Sequence, residues 1–162
     1  MIKFLLGVAI IGLSTCFGYL LASNYRNKKQ FYKQLRAFNE HFLNEIAYYK
    51  RPLGEFIAKY TYSGCFNELL MDFQKNMHEP LWQIGLNLKE YTFLKKEEVC
   101  FLEDYFQMLG KGDSSSQKTY FSAMKDEIQK RYSVAENEYK KYGDLYIKLG
   151  FLCGLFLLIL II

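Results

Sequence analysis

Charged and apolar residues are segregated along this chain of 162 residues. Residues 4–24 and 149–162 contain no Lys, Arg, Asp or Glu, and Lys3 is the one charged residue outside the stretch 26–148. About 20 apolar residues in a helix cross the hydrocarbon core of a bilayer. The pattern therefore predicts three segments, which are an N-terminal transmembrane helix (1–24), a polar domain (25–145) and a C-terminal transmembrane helix (146–162).

The C-terminal apolar segment is short for a complete crossing. As a helix, residues 149–162 rise about 21 Å, whereas the hydrocarbon core is about 30 Å thick. The long side chain of Lys148 reaches the headgroups from a deeper backbone position, which lets residues 145–147 enter the lipid. A membrane anchor is the favoured interpretation, and a partial crossing or burial in a protein core is the alternative.

The N-terminal apolar segment also resembles an export signal in part. Leu13–Cys16 has the form of a lipoprotein box, but Thr15 stands where Gly, Ala or Ser is expected, and no A-x-A-like cleavage site ends the segment. The basic residues that follow oppose export. We therefore expect a retained helix, in which Gly7, Gly12 and Gly18 offer small surfaces for the approach of another helix.

Basic residues flank both apolar segments on the sides that face the polar domain. Flanks rich in Lys and Arg stay in the cytoplasm. The pattern predicts a two-pass membrane protein whose polar domain is cytoplasmic and whose termini both face out. The basic residues are Arg26, Lys28, Lys29, Lys33 and Arg36 after the first segment, and Lys140, Lys141 and Lys148 before the second.

Spacing in the polar domain predicts helices. Large apolar residues recur at steps of three and four from Phe31 to Tyr49, so the first membrane helix is expected to continue until just before Pro52. Tyr91-Thr92-Phe93 is the one β-prone run and is too short for a strand. The fold class is therefore all-α, a cytoplasmic helical bundle between two transmembrane helices. Further helices are predicted at Leu53–Tyr62, Cys65–Met77, a short segment from Pro80, Lys95–Leu109 and Ser115–Ile162.

Two motifs mark the ends of the later helices. Gly110 suits the C-terminal cap of the Lys95–Leu109 helix. Ser114 and Gln117 have the spacing of a capping box at the start of the last helix. Gly143 is the weak point in that long helix before its apolar end.

The sequence carries no recognisable catalytic chemistry. It has no phosphate-binding glycine loop, no G-x-S-x-G and no H-E-x-x-H. His41 and His78 lie in unrelated segments, and the four cysteines form no C-x-x-C pair, so Cys65 and Cys100 are expected to be free, half-buried thiols. We predict no enzyme activity, no cofactor and no metal, and a protein that acts by binding and positioning.

Composition adds little to this interpretation. The net charge of +4 is small, and the 18% aromatic content fits a Phe- and Tyr-rich core better than a nucleic-acid surface, so no nucleic-acid partner is expected. The basic flanks can meet anionic membrane lipid. The acidic pairs Glu97-Glu98 and Glu103-Asp104 are either a solvated helix face or a docking surface for a basic partner.

Four stretches together resemble the stage III sporulation protein AB family of endospore-forming bacteria, and the resemblance spans nearly the whole chain. Their order and spacing carry the resemblance more than any single motif. They are Lys33-Gln34-Leu35-Arg36-Ala37; Glu45-Ile46-Ala47-Tyr48 with Pro52-Leu53; Phe106-x-x-Leu109-Gly110-x-x-Asp113-x-x-x-Gln117; and Lys148–Leu155 with the apolar tail.

This resemblance implies a place in the channel complex between mother cell and forespore, in the outer forespore membrane. The family is similar to the cytoplasmic helical domain of type II secretion and type IV pilus platform proteins. The implied partners are the cytoplasmic ATPase of the complex, protein AA, and the other membrane subunits of the channel, with a homo-oligomer left open. A platform protein of another secretion or pilus system, a membrane-bound enzyme and a small pore are the alternatives.

Four residues of the matching stretches are candidates for partner binding: Gln34, Arg36, Glu45 and Tyr48. Gln34 and Arg36 flank Leu35 of the apolar stripe and are expected to point away from the core. The competing interpretation is structural. In that case Glu45 pairs with a nearby base such as Lys50, and Tyr48 caps the turn at Pro52.

Overall fold

The computed structural model describes the backbone of residues 2–49, 51–76 and 88–161, and within these ranges the side chains of 7, 9 and 11–159. Every regular element in the described residues is helical, so the predicted all-α class is confirmed. The α-helices are α1 (Ile2–Asn44), α2 (Leu53–Lys59), α3 (Cys65–Asn76), α4 (Lys96–Met108), α5 (Ser114–Glu138) and α6 (Asp144–Ile161). Two π-helical turns, Glu45–Tyr49 and Tyr139–Gly143, extend α1 and join α5 to α6.

The helix starts and ends depart from the sequence patterns at α2 and at the start of α5. α2 ends at Lys59, earlier than the predicted Tyr62. At the start of α5 the capping side chain is Asp113, whose carboxylate accepts the backbone N–H of Ser115, while Gln117 donates to the Lys111 carbonyl; the predicted Ser114–Gln117 capping box is therefore wrong. The short helix predicted from Pro80 lies outside the described residues.

Other local predictions are confirmed in part. Gly110 has a φ of 73° directly after α4, as its expected place at a C-terminal cap requires. The four cysteines are free, although Cys100 is exposed, not half-buried as expected. Of the predicted acidic face on α4, Glu98 is buried at the helix start, where it accepts the Lys95 backbone N–H, so it is unavailable to a docking partner.

The chain forms two compact units. The hairpin unit comprises Met1–Lys29 and Val134–Ile162, and the bundle unit comprises Gln30–Ser133. The bundle unit has a core rich in aromatic rings. Phe38 lies at its centre, with its ring within 6.5 Å (centroid to centroid) of Phe42, Phe56, Tyr62, Phe66 and Tyr105.

A buried polar chain crosses this aromatic core. The Tyr105 hydroxyl of α4 donates to Asn39 Oδ1 of α1 over 3.0 Å, and Asn39 Nδ2 donates to the Phe121 carbonyl of α5 over 3.1 Å. All three residues are buried. These two hydrogen bonds give the buried polar groups of Tyr105, Asn39 and Phe121 a partner. They also fix three helices against one another.

The hairpin unit is an antiparallel pair of helices. Ser14 Oγ of α1 donates to the Gly150 carbonyl of α6 over 2.7 Å. Gly7, earlier in α1, lies against Leu158, later in α6, so the two helices run in opposite directions. A Cβ on Gly18 would lie 2.5 Å from the Tyr146 carbonyl oxygen. Close approach is therefore confirmed at Gly7 and Gly18, whereas nothing lies within 4 Å of a Cβ placed on Gly12.

Large apolar side chains cover the outside of the hairpin unit. Among described residues, the helical stretch Ser114–Ile159 is the one long and apolar enough to cross a membrane. The predicted N-terminal span overlaps residues whose side chains are not described, and it stays a prediction. Residues with at least 60% of their surface exposed are Leu13, Phe17, Leu20, Leu152, Phe156 and Ile159.

Candidate functional site

The four predicted partner-binding residues lie in different surroundings. Gln34 Nε2 donates to the Ser63 hydroxyl over 2.8 Å, which ties α1 to the turn before α3. Arg36 Nη1 donates to Gln129 Oε1 over 3.0 Å. Its guanidinium also lies 5.0 Å from the ring centroid of Tyr132. Both residues therefore make contacts within the bundle unit, Gln34 to the turn before α3 and Arg36 to α5.

Glu45 and Tyr48 share the π-helical turn after α1 but differ in burial. Glu45 is 2% exposed, and its carboxylate lies 3.6 Å from Arg51 Nε and 4.0 Å from Lys59 Nζ. Neither carboxylate oxygen accepts a hydrogen bond from a residue that the structure describes. Tyr48 is 79% exposed. The expected partner Lys50 lies outside the described residues, and the observed cations come from Arg51 and the end of α2.

The cations that face Glu45 also contact exposed aromatic rings. Arg51 and Lys59 each lie 4.9 Å from the ring centroid of Tyr49, which is 56% exposed. Lys59 lies at the same distance over Tyr60. The side chains therefore form a connected surface, which we call the Glu45 cluster and define as Glu45, Tyr49, Arg51, Lys59 and Tyr60.

A histidine supports the Glu45 cluster from α1. The rings of His41 and Tyr60 stack with centroids 4.2 Å apart, and His41 Nδ1 lies 3.1 Å from the Tyr62 hydroxyl. Burial raises the pKa of Tyr62 above its usual range, with a further contribution from Tyr60. These contacts hold the chain after α2 against α1.

A cavity of about 260 Å³ opens beside the Glu45 cluster. Glu45 and Arg51 supply charged walls, and the start of α5 supplies Ser114 and Gln117. The remaining lining residues are Phe42, Ile46, Leu53 and Gly110. A partly apolar pocket next to exposed aromatic and cationic side chains has the composition of a protein-binding surface.

Some polar residues that organise the bundle unit escaped the sequence analysis. Tyr32 of α1 is buried, and its pKa is raised by burial and by the nearby Glu98 carboxylate. Arg131 of α5 opposes this rise in the pKa of Tyr32, pairs with Glu127 over 2.8 Å and lies 4.2 Å from the Phe101 ring centroid. Tyr32 follows Phe31 of the apolar stripe, and that adjacency is the one sequence signal for its burial.

The described residues contain no group of three or more His, Cys, Asp or Glu side chains placed to hold a metal ion. The Glu45 cluster offers ion pairs, exposed rings and a cavity, which are means of binding.

Comparisons with known proteins agree with the resemblance seen in the sequence. The family model of stage III sporulation protein AB matches residues 3–162. A curated relative, stage III sporulation protein AB of Bacillus subtilis (strain 168), is 29% identical over 171 residues, which cover 99% of each chain. No solved structure gives a significant match. The chain therefore belongs to the stage III sporulation protein AB family.

Proposed function

We propose that the protein is a non-enzymatic membrane subunit of the sporulation channel complex between mother cell and forespore, and that it docks the cytoplasmic ATPase of that complex, protein AA, at the membrane. Family membership supports the sporulation complex over another secretion or pilus system. The hairpin unit anchors the chain in the outer forespore membrane by two passes, and the bundle unit lies in the mother-cell cytoplasm. Other membrane subunits of the channel contact the same protein.

The exposure of Tyr48 carries the docking proposal. Tyr48 is 79% exposed and precedes Tyr49, whose ring contacts Arg51 and Lys59, and aromatic and arginine side chains dominate the binding energy of protein interfaces. The buried Glu45 carboxylate contributes by holding Arg51 and Lys59 in position. Gln34 and Arg36 have a supporting role, because they fix α1 against the turn before α3 and against α5.

The test measures binding of the ATPase to the full-length protein in detergent. Tyr48→Ala is expected to weaken binding about thirtyfold, because truncation of an aromatic residue that dominates an interface costs about 2 kcal/mol, and each 1.4 kcal/mol is a factor of ten in affinity. Met71→Ala is the matched control, since Met71 is a large, 44% exposed side chain on α3. Equal affinities for the two variants, or no binding of the wild-type protein at micromolar concentrations, would refute the proposal.

A further inference from the structure

The hairpin unit contains a small notch between its two helices. Tyr19, Ser23 and Arg26 of α1 line one side, and Tyr139 and Ile147 line the other. The volume is about 30 Å³, which admits a single water-sized group. One oxygen atom of a larger polar group fits there while the rest of that group stays outside.

Arg26 is the cation of this notch. Its guanidinium donates to the Tyr19 hydroxyl and lies 5.1 Å from the centroid of the same ring. No carboxylate pairs with Arg26 among the described residues, whereas Lys28 pairs with Glu138 over 3.2 Å and Lys29 with Glu136 over 3.5 Å. Arg26 therefore keeps guanidinium N–H groups for a ligand, and the Tyr19 hydroxyl, which accepts from Arg26, has its own proton to donate outward.

The surroundings of the notch are positively charged. Lys29 and Lys140 both pair with Glu136, so two cations share this carboxylate beside the unpaired Arg26. The ring of Tyr139 is also covered, because Lys29 Nζ lies 5.1 Å from its centroid. A quaternary ammonium headgroup would need free aromatic faces, and both aromatic residues of the notch already carry a cation.

Apolar surface adjoins the notch. Leu20, one turn before Ser23 on α1, is 63% exposed, and its carbonyl accepts the Ser23 hydroxyl. Across the pair, Leu149 and Phe151 of α6 are about half exposed. A ligand with a phosphate group at one end and hydrocarbon at the other matches a polar notch that adjoins an apolar surface.

We propose that the notch formed by Tyr19, Ser23, Arg26 and Tyr139 binds the phosphate of an anionic phospholipid, with one phosphate oxygen in the notch and the acyl chains along Leu20. The inference rests on the membrane location in the proposed function and is independent of ATPase docking. It assigns Arg26 to lipid recognition and Lys28 and Lys29 to pairing between the helices.

The experiment uses full-length protein in a neutral detergent and measures the rise in melting temperature as phosphatidylglycerol, phosphatidylcholine or inorganic phosphate is added. Phosphatidylglycerol is expected to stabilise the wild-type protein most. Arg26→Gln should weaken its apparent affinity about tenfold, since it removes charge-assisted hydrogen bonds. Tyr19→Phe should weaken it less, because the ring stays and the hydroxyl is lost.

Lys141→Gln is the matched control, because Lys141 is exposed, contacts the Tyr142 ring and does not line the notch. It should bind phosphatidylglycerol like the wild type. An equal loss in Lys141→Gln and Arg26→Gln would show that general surface charge attracts the lipid and would overturn the site. Equal stabilisation by the two lipids, or by inorganic phosphate, would overturn the assignment to an anionic phospholipid. ATPase binding in the same detergent should be unchanged in Arg26→Gln.

Discussion

At the scale of single residues, buried polar side chains contribute specificity to an otherwise aromatic core. Asn39 follows Phe38 in the sequence, and nothing in the spacing distinguishes it from an exposed polar residue. Its partners, Tyr105 and the Phe121 carbonyl, lie 66 and 82 positions away along the chain. The apolar stripe of α1 was predictable because periodicity is local, whereas the role of Asn39 depends on which helices meet.

Replacement of Asn39 tests this polar chain. Asn39→Ala leaves the Tyr105 hydroxyl and the Phe121 carbonyl buried without partners, and each unsatisfied group costs about 1–3 kcal/mol. We expect the free energy of unfolding to fall by about 2–5 kcal/mol, measured by urea denaturation of the full-length protein in detergent. The exposed neighbour Glu40→Ala should change it by less than about 0.5 kcal/mol. A similar small change for Asn39→Ala would contradict the assignment.

At the scale of elements, helix packing gives different surroundings to glycines that the sequence pattern does not distinguish. Gly7, Gly12 and Gly18 were all predicted to allow close approach, but only two of them face α6. The face that α1 presents depends on how it pairs with a segment more than a hundred residues later, and one helical sequence does not specify this rotation. The π-helical turns likewise had no local signal beyond Gly143.

This difference predicts opposite effects of the same substitution. Gly18→Ala places a Cβ 2.5 Å from a backbone oxygen that cannot easily move, so we expect a loss of about 1–3 kcal/mol. Gly12→Ala meets open space and should be neutral or stabilising by up to about 1 kcal/mol, because alanine is the better helix former. Melting temperatures in detergent measure both. If Gly12→Ala were the more damaging change, the packing of α1 on α6 would be incorrect.

The start of α5 gives a prediction about acid stability. The Ser115 hydroxyl donates to the Asp113 carboxylate over 2.6 Å and, with Ser116, lowers the pKa of Asp113 to about 2. Because the pKa is lower in the folded state, this contribution to stability is complete above about pH 4 and disappears as the pH falls towards 2.

Thermal unfolding between pH 7 and pH 2 tests this sign. Asp113→Asn should lower the melting temperature at pH 7, and its difference from the wild type should shrink towards pH 2. Asp126→Asn, at an exposed position on the same helix, should show the same fall in melting temperature towards pH 2 as the wild type. A difference that is constant across this range would refute the role of the carboxylate.

At the scale of the whole molecule, the segregation of charge predicted more than any motif did. The all-α class and the family followed from apolar ends, helical periodicity and four spaced stretches. The arrangement of the Glu45 cluster did not follow, because Glu45 pairs with Arg51 and Lys59 through a turn whose geometry no pattern specified. The partner-binding role of Gln34, Arg36, Glu45 and Tyr48 therefore stays a prediction.

The native cysteines test the proposed topology. Cys100 is exposed in the bundle unit, so a membrane-impermeant maleimide should label it in inverted vesicles but not in intact cells. Cys65 should react more slowly, since burial raises its pKa and less thiolate is present. Cys16 and Cys153 lie in the apolar segments and should stay unlabelled in both preparations. Cys100→Ser is the control, and labelling of Cys100 in intact cells would reverse the orientation.

The buried hydroxyl of Tyr105 has a spectroscopic consequence. Burial raises its pKa well above the ordinary value, and Tyr32 and Tyr62 are shifted in the same direction, whereas Tyr48 is open to solvent. Phenolate formation changes ultraviolet absorbance, so an alkaline titration should show an early gradual rise from solvent-accessible rings. A later, abrupt rise should coincide with loss of helical circular dichroism, because the interior rings release their protons only as the core opens.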